Sequence, residues 1–289
     1  MEILFYGLVL IIIGLVWILV EPQLYKVKQI SLDSEKINKK IKVVFISDLH
    51  YGNYYYKLRL KKIVESVNKL EADFIIIGGD YIDNSKRSKF NKNLLDTLFK
   101  ELHFLKAEMG VITVLGNHDY YLEKNMNSLI EFFKDNNITL LKNDTLELNL
   151  GDNKVLIHGV EDLLRGVINV DRLKIDMNYL NILVSHNPDF YEEFKLDFDI
   201  GLSGHTHGGQ VNLFGLYAPI TESKYGQKYV KCLNKKGNST IITTKGLGCS
   251  MFPIRFFAVP EIIELEITHV LYVLPLFSNS DYCVSNNYE

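Results

Sequence analysis

Cysteine is scarce in this chain, with only Cys232, Cys249 and Cys283 among 289 residues. None stands in a C-x-x-C pair, and an odd count closes no disulfide framework, so neither a zinc knuckle nor an oxidising compartment is indicated. The three read instead as small hydrophobes. An excess of one charge is also lacking. Thirty-two basic residues against 35 acidic ones leave a formal charge of −3, which argues against a broad nucleic-acid-binding surface, so no nucleic-acid partner is expected. No internal repeat, low-complexity tract or long linker interrupts the chain. What is present is a globular balance of 47% hydrophobic and 23% charged residues, at a length that suits one or two domains and buries a large core without covalent staples.

Residues 3–20 carry no charge. As a helix, such a run extends about 27 Å at 1.5 Å per residue, just enough to span hydrocarbon. A cleaved signal peptide begins with basic residues and ends in small ones, whereas Glu2 precedes this run and Ile18, Leu19 and Val20 close it. A buried core helix is disfavoured by the missing polar face. The reading is a single transmembrane anchor over residues 1–24, one domain over 25–267, and a tail over 268–289 of unassigned role. Lys26, Lys28, Lys36, Lys39 and Lys40 follow the apolar run and no Lys or Arg precedes it, so the positive-inside rule places the domain in the cytoplasm. The apolar stretch 270–277 in the tail contains Pro275 and is too short to span a membrane.

Along the body, residues 25–32 alternate apolar and polar as an edge strand does. Apolar runs at 43–47, 74–78 and 111–115 read as buried strands, separated by helix-spaced stretches at 58–70 and 93–105. A helix over 128–134 precedes a short apolar run at 138–141. Further strands are expected at 146–150, 154–158, 181–185, 199–203, 240–244 and 261–267. The fold class is α/β, with two β-rich layers and helices outside them.

The informative pattern is where the polar residues fall. Five expected strands end in the loops SDLH (47–50), GGDYID (78–83), GNHD (116–119), SHN (185–187) and GHTHGG (204–209). Carboxyl ends of strands in open α/β sheets share one rim, so Asp48, His50, Asp80, Asn117, His186, His205 and His207 are expected to converge. Imidazole, carboxylate and amide donors without thiolate suit manganese, zinc, iron or similar divalent ions. Seven donors exceed what one ion needs, so two metals are implied, with Asp80 as the shared bridging ligand.

These blocks, in order D-x-H, G-D-x-x-D, G-N-H-[DE], H and G-H-x-H, resemble those of the calcineurin-like metallophosphoesterase superfamily over residues 43–210. The resemblance implies a two-layer β-sandwich flanked by helices. It also implies one ion held by Asp48, His50, Asp80 and His207, and a second by Asp80, Asn117, His186 and His205. His118 would be the catalytic histidine that binds no metal, protonating the departing oxygen, and Asp83 the aspartate that orients it. The apolar start, the GHTHGGQ block and the stretch GLGCSMFPIRF over 246–256 look like the membrane-anchored subgroup that includes UDP-2,3-diacylglucosamine pyrophosphatases. That subgroup often carries a twin-arginine signal, which is missing here.

Plainer roles compete at several positions. His103, His158 and His269 lie outside the blocks and read as ordinary surface or core histidines. Asp119 reads as a turn residue supporting its loop, and Asp83 equally as a backbone cap. The tyrosines at 54–56 read as packing, with stacking against a base or acyl chain as the alternative. Arg255 is a candidate phosphate clamp or, equally, part of a structural ion pair. The expected activity is hydrolysis of a phosphodiester or pyrophosphate bond. The expected partners are the membrane and a phosphorylated, lipid-linked small molecule, UDP-2,3-diacylglucosamine first. The alternatives are a phosphatase or phosphodiesterase on soluble nucleotides, and a metal-dependent membrane scaffold without turnover.

Overall fold

A computed structural model describes residues 2–52, 57–83 and 92–270; the tyrosines at 54–56, Cys283 and all but the first residues of the tail lie outside them. Three short apolar segments form adjacent parallel strands: β2 (Ile41–Ile46), β3 (Phe74–Ile77) and β4 (Val111–Thr113). With nearly every position apolar, both faces of these strands must be covered. The pleat divides their side chains by alternation. Val43, Phe45, Phe74, Ile76 and Ile112 point to one side, and Val44, Ile46, Ile75 and Ile77 to the other. The second group packs against apolar stripes of α2 (Lys57–Lys69), α3 (Lys92–Leu102) and α4 (Met126–Asp135), through residues such as Ile63, Val67, Leu98 and Phe133. Successive crossovers advance in one direction from β2 to β5 (Ile138–Leu140), and crossovers of one hand then leave all three helices on the same face.

The first group meets a second six-stranded sheet, so the central core lies between two β layers. Val155 and Ile157 of β7 (Asn153–Gly159), Ile182 and Val184 of β8 (Leu180–Val184) and Leu202 of β9 (Ile200–Ser203) fill it from that side. The order there is β10 (Leu233–Lys236), β11 (Ser239–Thr243), β9, β8, β7 and β6 (Asp144–Leu150), with parallel pairs from β11 through β7 and antiparallel hairpins at both edges. The first sheet has the order β1-β12-β2-β3-β4-β5. β1 (Lys26–Ser34) lies at its margin, paired among the described residues with β12 (Glu261–His269) alone, as its half-polar alternation requires. The two β layers with helices outside them are the architecture expected from the sequence.

α1 (Glu2–Val20) leads almost directly into β1. An 18-residue stretch within Leu4–Gln23 has mean hydropathy 2.5, and only 6% of it is buried. The helix is therefore long and apolar enough to cross a membrane, and it is not a core helix of the domain.

Candidate metal centre

The loops after β2, β3, β4, β8 and β9 meet at one end of the sandwich. Asp48 accepts the backbone N–H of His205 at 3.0 Å, tying the rim of the first sheet to that of the second. Nδ1 of His186 lies 2.7 Å from the carbonyl of Gly78, which makes the same link one strand over. Asp48, His50, Asp80, His205 and His207 all have positive φ, between 42° and 68°. L-residues reach that region at an energetic cost, and such strain gathers where function fixes the chain direction. Two glycines make room for the carboxylates. A Cβ at Gly204 would stand 2.1 Å from an oxygen of Asp48, and one at Gly116 would stand 2.2 Å from an oxygen of Asp80.

Among the described residues, three groups of three have ligand atoms close enough to hold a cation, and two of them are Asp48, His50 and His207, and Asp80, His186 and His205. One oxygen of Asp80, Oδ2, lies 3.4 Å from Nε2 of His50 in the first group and 3.1 Å from Nε2 of His186 in the second. Asp80 thus stands between the groups. Asn117 is buried with its Oδ1 lacking a hydrogen-bond partner. An orphaned buried acceptor costs about 1–3 kcal/mol, which a coordinated cation offsets.

The electrostatics agree with that use. Burial, then repulsion by neighbouring cationic groups, lowers the pKa of His50 and His207 well below the usual imidazole value, and that of His205 to about 3. Their lone pairs are therefore free at neutral pH. Burial raises Asp48 to about 6. Burial opposes ionisation of Asp80 as well, but His186 first, then His118 and His50, hold its carboxylate ionised. Against its own burial, His186 is raised by Asp80 and Asp48, a proton that cation binding would release. The donor set thus fits two divalent ions, and its lack of thiolate suits manganese, zinc or iron.

His118 is half-buried beside this centre. Its backbone N–H donates to Oδ1 of Asp80 at 2.8 Å, and its ring meets that of His50 edge-on at 4.6 Å. Ligand-type atoms of His50, Asp83 and His118 lie within 4.8 Å of one another, so both expected catalytic side chains are at the site. On the outer side, the ring of Tyr121 stands 5.9 Å from that of His118 and carries the exposed guanidinium of Arg165 over its face at 4.8 Å. Neither residue lies in a motif block.

Arg255 is a correction. It is fully buried, and its guanidinium donates to the carbonyls of Gly248, Ala258 and Lys245 and lies 3.2 Å from Nδ1 of His207. Backbone acceptors and an imidazole occupy the fork, and Arg255 backs His207 from behind. The remaining histidines have ordinary settings. His158 is buried between Thr145 and Asn181, where burial lowers its pKa; His103 meets Asn136, and His269 meets the carbonyl of Ile37.

Asp119 does more than shape a turn. Fully buried, it accepts the backbone N–H groups of Gly116, Asp80 and Tyr81 at 2.8–2.9 Å, pinning the Asp80 loop to the Asn117 loop. Burial, then Asp80, raises its pKa to about 7. Asp119→Ala orphans three donors and is expected to destabilise the fold by about 3 kcal/mol, at about 1 kcal/mol or more for each. Urea unfolding checks this, and a loss under about 1 kcal/mol contradicts the role.

The model of the calcineurin-like phosphoesterase family matches residues 41–209. The uncharacterized metallophosphoesterase YkuE of Bacillus subtilis is 31% identical over 76% of this chain and 77% of its own length. The phosphodiesterase YaeI of Escherichia coli is 30% identical over 78% and 82%. An uncharacterized metallophosphoesterase of Helicobacter pylori is 30% identical over 84% of this chain, which spans only 64% of that relative. Among solved structures, a dimetal phosphatase from Danio rerio aligns with TM-score 0.43 and 14% identity over 73% of this chain and 88% of that one. The matched segment contains every donor of the two groups, and the chain belongs to the calcineurin-like phosphoesterase family.

Proposed function

We propose that this chain is a membrane-anchored two-metal phosphoesterase that hydrolyses a phosphodiester or pyrophosphate bond. The observation that carries the proposal is the pair of carboxylate–imidazole groups joined at Asp80. Asp48, His50, Asp80 and His207 would hold one ion, and Asp80, Asn117, His186 and His205 the other. When bound, two such ions lower the pKa of water and offset charge on phosphoryl oxygens. His118 delivers a proton to the departing oxygen, a task suited to an imidazole, and Asp83 orients its ring. Arg255 sets the direction of His207. Arg165, stacked on Tyr121 beside His118, adds an exposed cation on the His118 side of the site that could pair with a leaving group carrying its own negative charge.

The last feature favours a phosphoanhydride or nucleotide-linked substrate over a simple monoester. With α1 as the anchor and the domain on the lysine-bearing cytoplasmic side, a lipid-linked nucleotide such as UDP-2,3-diacylglucosamine is the first substrate to examine. The test uses the full purified chain, stripped of metal and given manganese, zinc or iron one at a time. Bis-p-nitrophenyl phosphate, soluble nucleotides and detergent-dispersed lipid nucleotide are compared. Metal-dependent hydrolysis with the lipid nucleotide preferred supports the reading. Turnover of soluble nucleotides alone removes the lipid part, and absence of any metal-dependent turnover removes the enzyme.

A further inference from the structure

The segment just past His207 is exposed and apolar. Leu213 and Tyr217 pair across a tight turn whose tip presents Phe214 and Leu216, 72% and 84% exposed, with Ile220 following. This loop is built onto a second one. Val211 bridges Phe256, the side chain of Gln210 joins the backbone of Ser250 and Phe252, and the ring of Phe214 lies 5.2 Å from that of Phe257. Met251, Phe252 and Phe257 are exposed as well. Together they make one contiguous apolar rim, larger than the scattered hydrophobes a soluble surface ordinarily carries.

The second loop is fastened to the end of α1. The backbone N–H of Arg255 donates to the carbonyl of Ile18 at 3.1 Å. The carboxylate of Glu21, fully buried, accepts the N–H groups of Phe257 and Ala258 and the indole N–H of Trp17 at 2.6 Å. The exposed apolar surface of α1 therefore continues onto the loops. Lys26 and Lys28 stand where the chain leaves this junction, the position at which basic side chains meet anionic headgroups. Trp17, one turn before the helix end, lies where indole rings settle at a membrane interface.

We propose that the loops around Phe214 and Phe252 dock in the lipid bilayer beside the anchor, so that the metal centre works at the membrane surface. The occupant is the bilayer because the patch extends the anchor's own apolar surface and a basic fringe adjoins it. Residues 205–210 connect the metal centre directly to this surface, so the site is served from the headgroup layer. The inference rests on the reading of α1 as an anchor.

The test uses the full chain in vesicles of phosphatidylcholine and phosphatidylglycerol, with brominated phosphatidylcholine as a lipid-side quencher and acrylamide as a water-side one. Trp17, the single tryptophan, reports the anchor in the unaltered chain. Phe214→Trp in a Trp17→Phe background reports the rim. Phe104→Trp in the same background is the reference, because exposed Phe104 precedes β4 at the opposite end of the sheet. The proposal expects brominated lipid to remove most of the emission from the probes at 17 and 214, and acrylamide to quench only the probe at 104. Quenching of Trp17 by lipid together with acrylamide quenching at 214 overturns the docking surface while keeping the anchor. A probe at 214 shielded from both quenchers also overturns it, since the rim is then covered by protein. Loss of lipid quenching at Trp17 itself overturns the anchor, and hydrolysis of bis-p-nitrophenyl phosphate reports the phosphoesterase separately.

Discussion

Asp80→Asn is expected to empty both metal positions and to reduce turnover by at least about a hundredfold, since even outer partners of metal ligands cost up to that much. The reason is geometric. The Oδ2 atom of Asp80 lies near a histidine of each group, and its other oxygen accepts the N–H of His118. An amide keeps the size of the side chain but removes the charge that offsets two cations. Without metal, the change also removes the charge that holds His186 protonated, and because the Asp80 carboxyl lies well below its ordinary pKa, the stripped variant should itself unfold more easily than the stripped parent. With metal present it loses in addition the stabilisation metal confers, about 2.7 kcal/mol per ion at a hundredfold excess over Kd. Elemental analysis with thermal unfolding, each with and without manganese, separates the two effects. A fully metallated, active Asp80→Asn protein contradicts the bridging position.

His118→Ala is expected to leave metal content unchanged and to slow hydrolysis of an alkyl phosphodiester by about 10²–10⁴, the usual contribution of a positioned acid. The loss should be smaller on bis-p-nitrophenyl phosphate, whose departing phenolate is stabilised without a proton. Comparing the two substrates at saturating manganese measures the role. An equal loss on both contradicts proton delivery, and an unchanged rate on both removes His118 from catalysis. Asp83→Asn should follow the same pattern with smaller losses if Asp83 works through the ring of His118.

Much of this site was legible in the sequence because its donors sit in the loops that end buried strands, and the strands are plain apolar runs. The pattern at 43–47, 74–78 and 111–115 gives the strand ends, and the ends carry the polar residues. The strand β10 (Leu233–Lys236) escaped because its exposed edge sequence, LNKK, has no buried face to create alternation. The single-turn helix Phe190–Glu193 is too short to show a period. Asp119 was visible as a motif residue, but its grip on three backbone N–H groups depends on two loops meeting. Arg255 and Glu21 carried no signal of their tasks. One reaches His207 across 48 residues and the other caps a backbone 236 residues away, and no local spacing encodes such contacts. Tyr121 and Arg165 meet beside His118 only after the sheets have formed, which is why their pairing was invisible in the linear chain.

The most direct measurement titrates manganese into the metal-stripped full chain while calorimetry counts bound ions and hydrolysis of bis-p-nitrophenyl phosphate is followed in parallel. Two ions per chain are predicted, with turnover appearing only as the second position fills. Saturation at one ion, or full turnover with no ion bound, would contradict a paired metal centre built around Asp80.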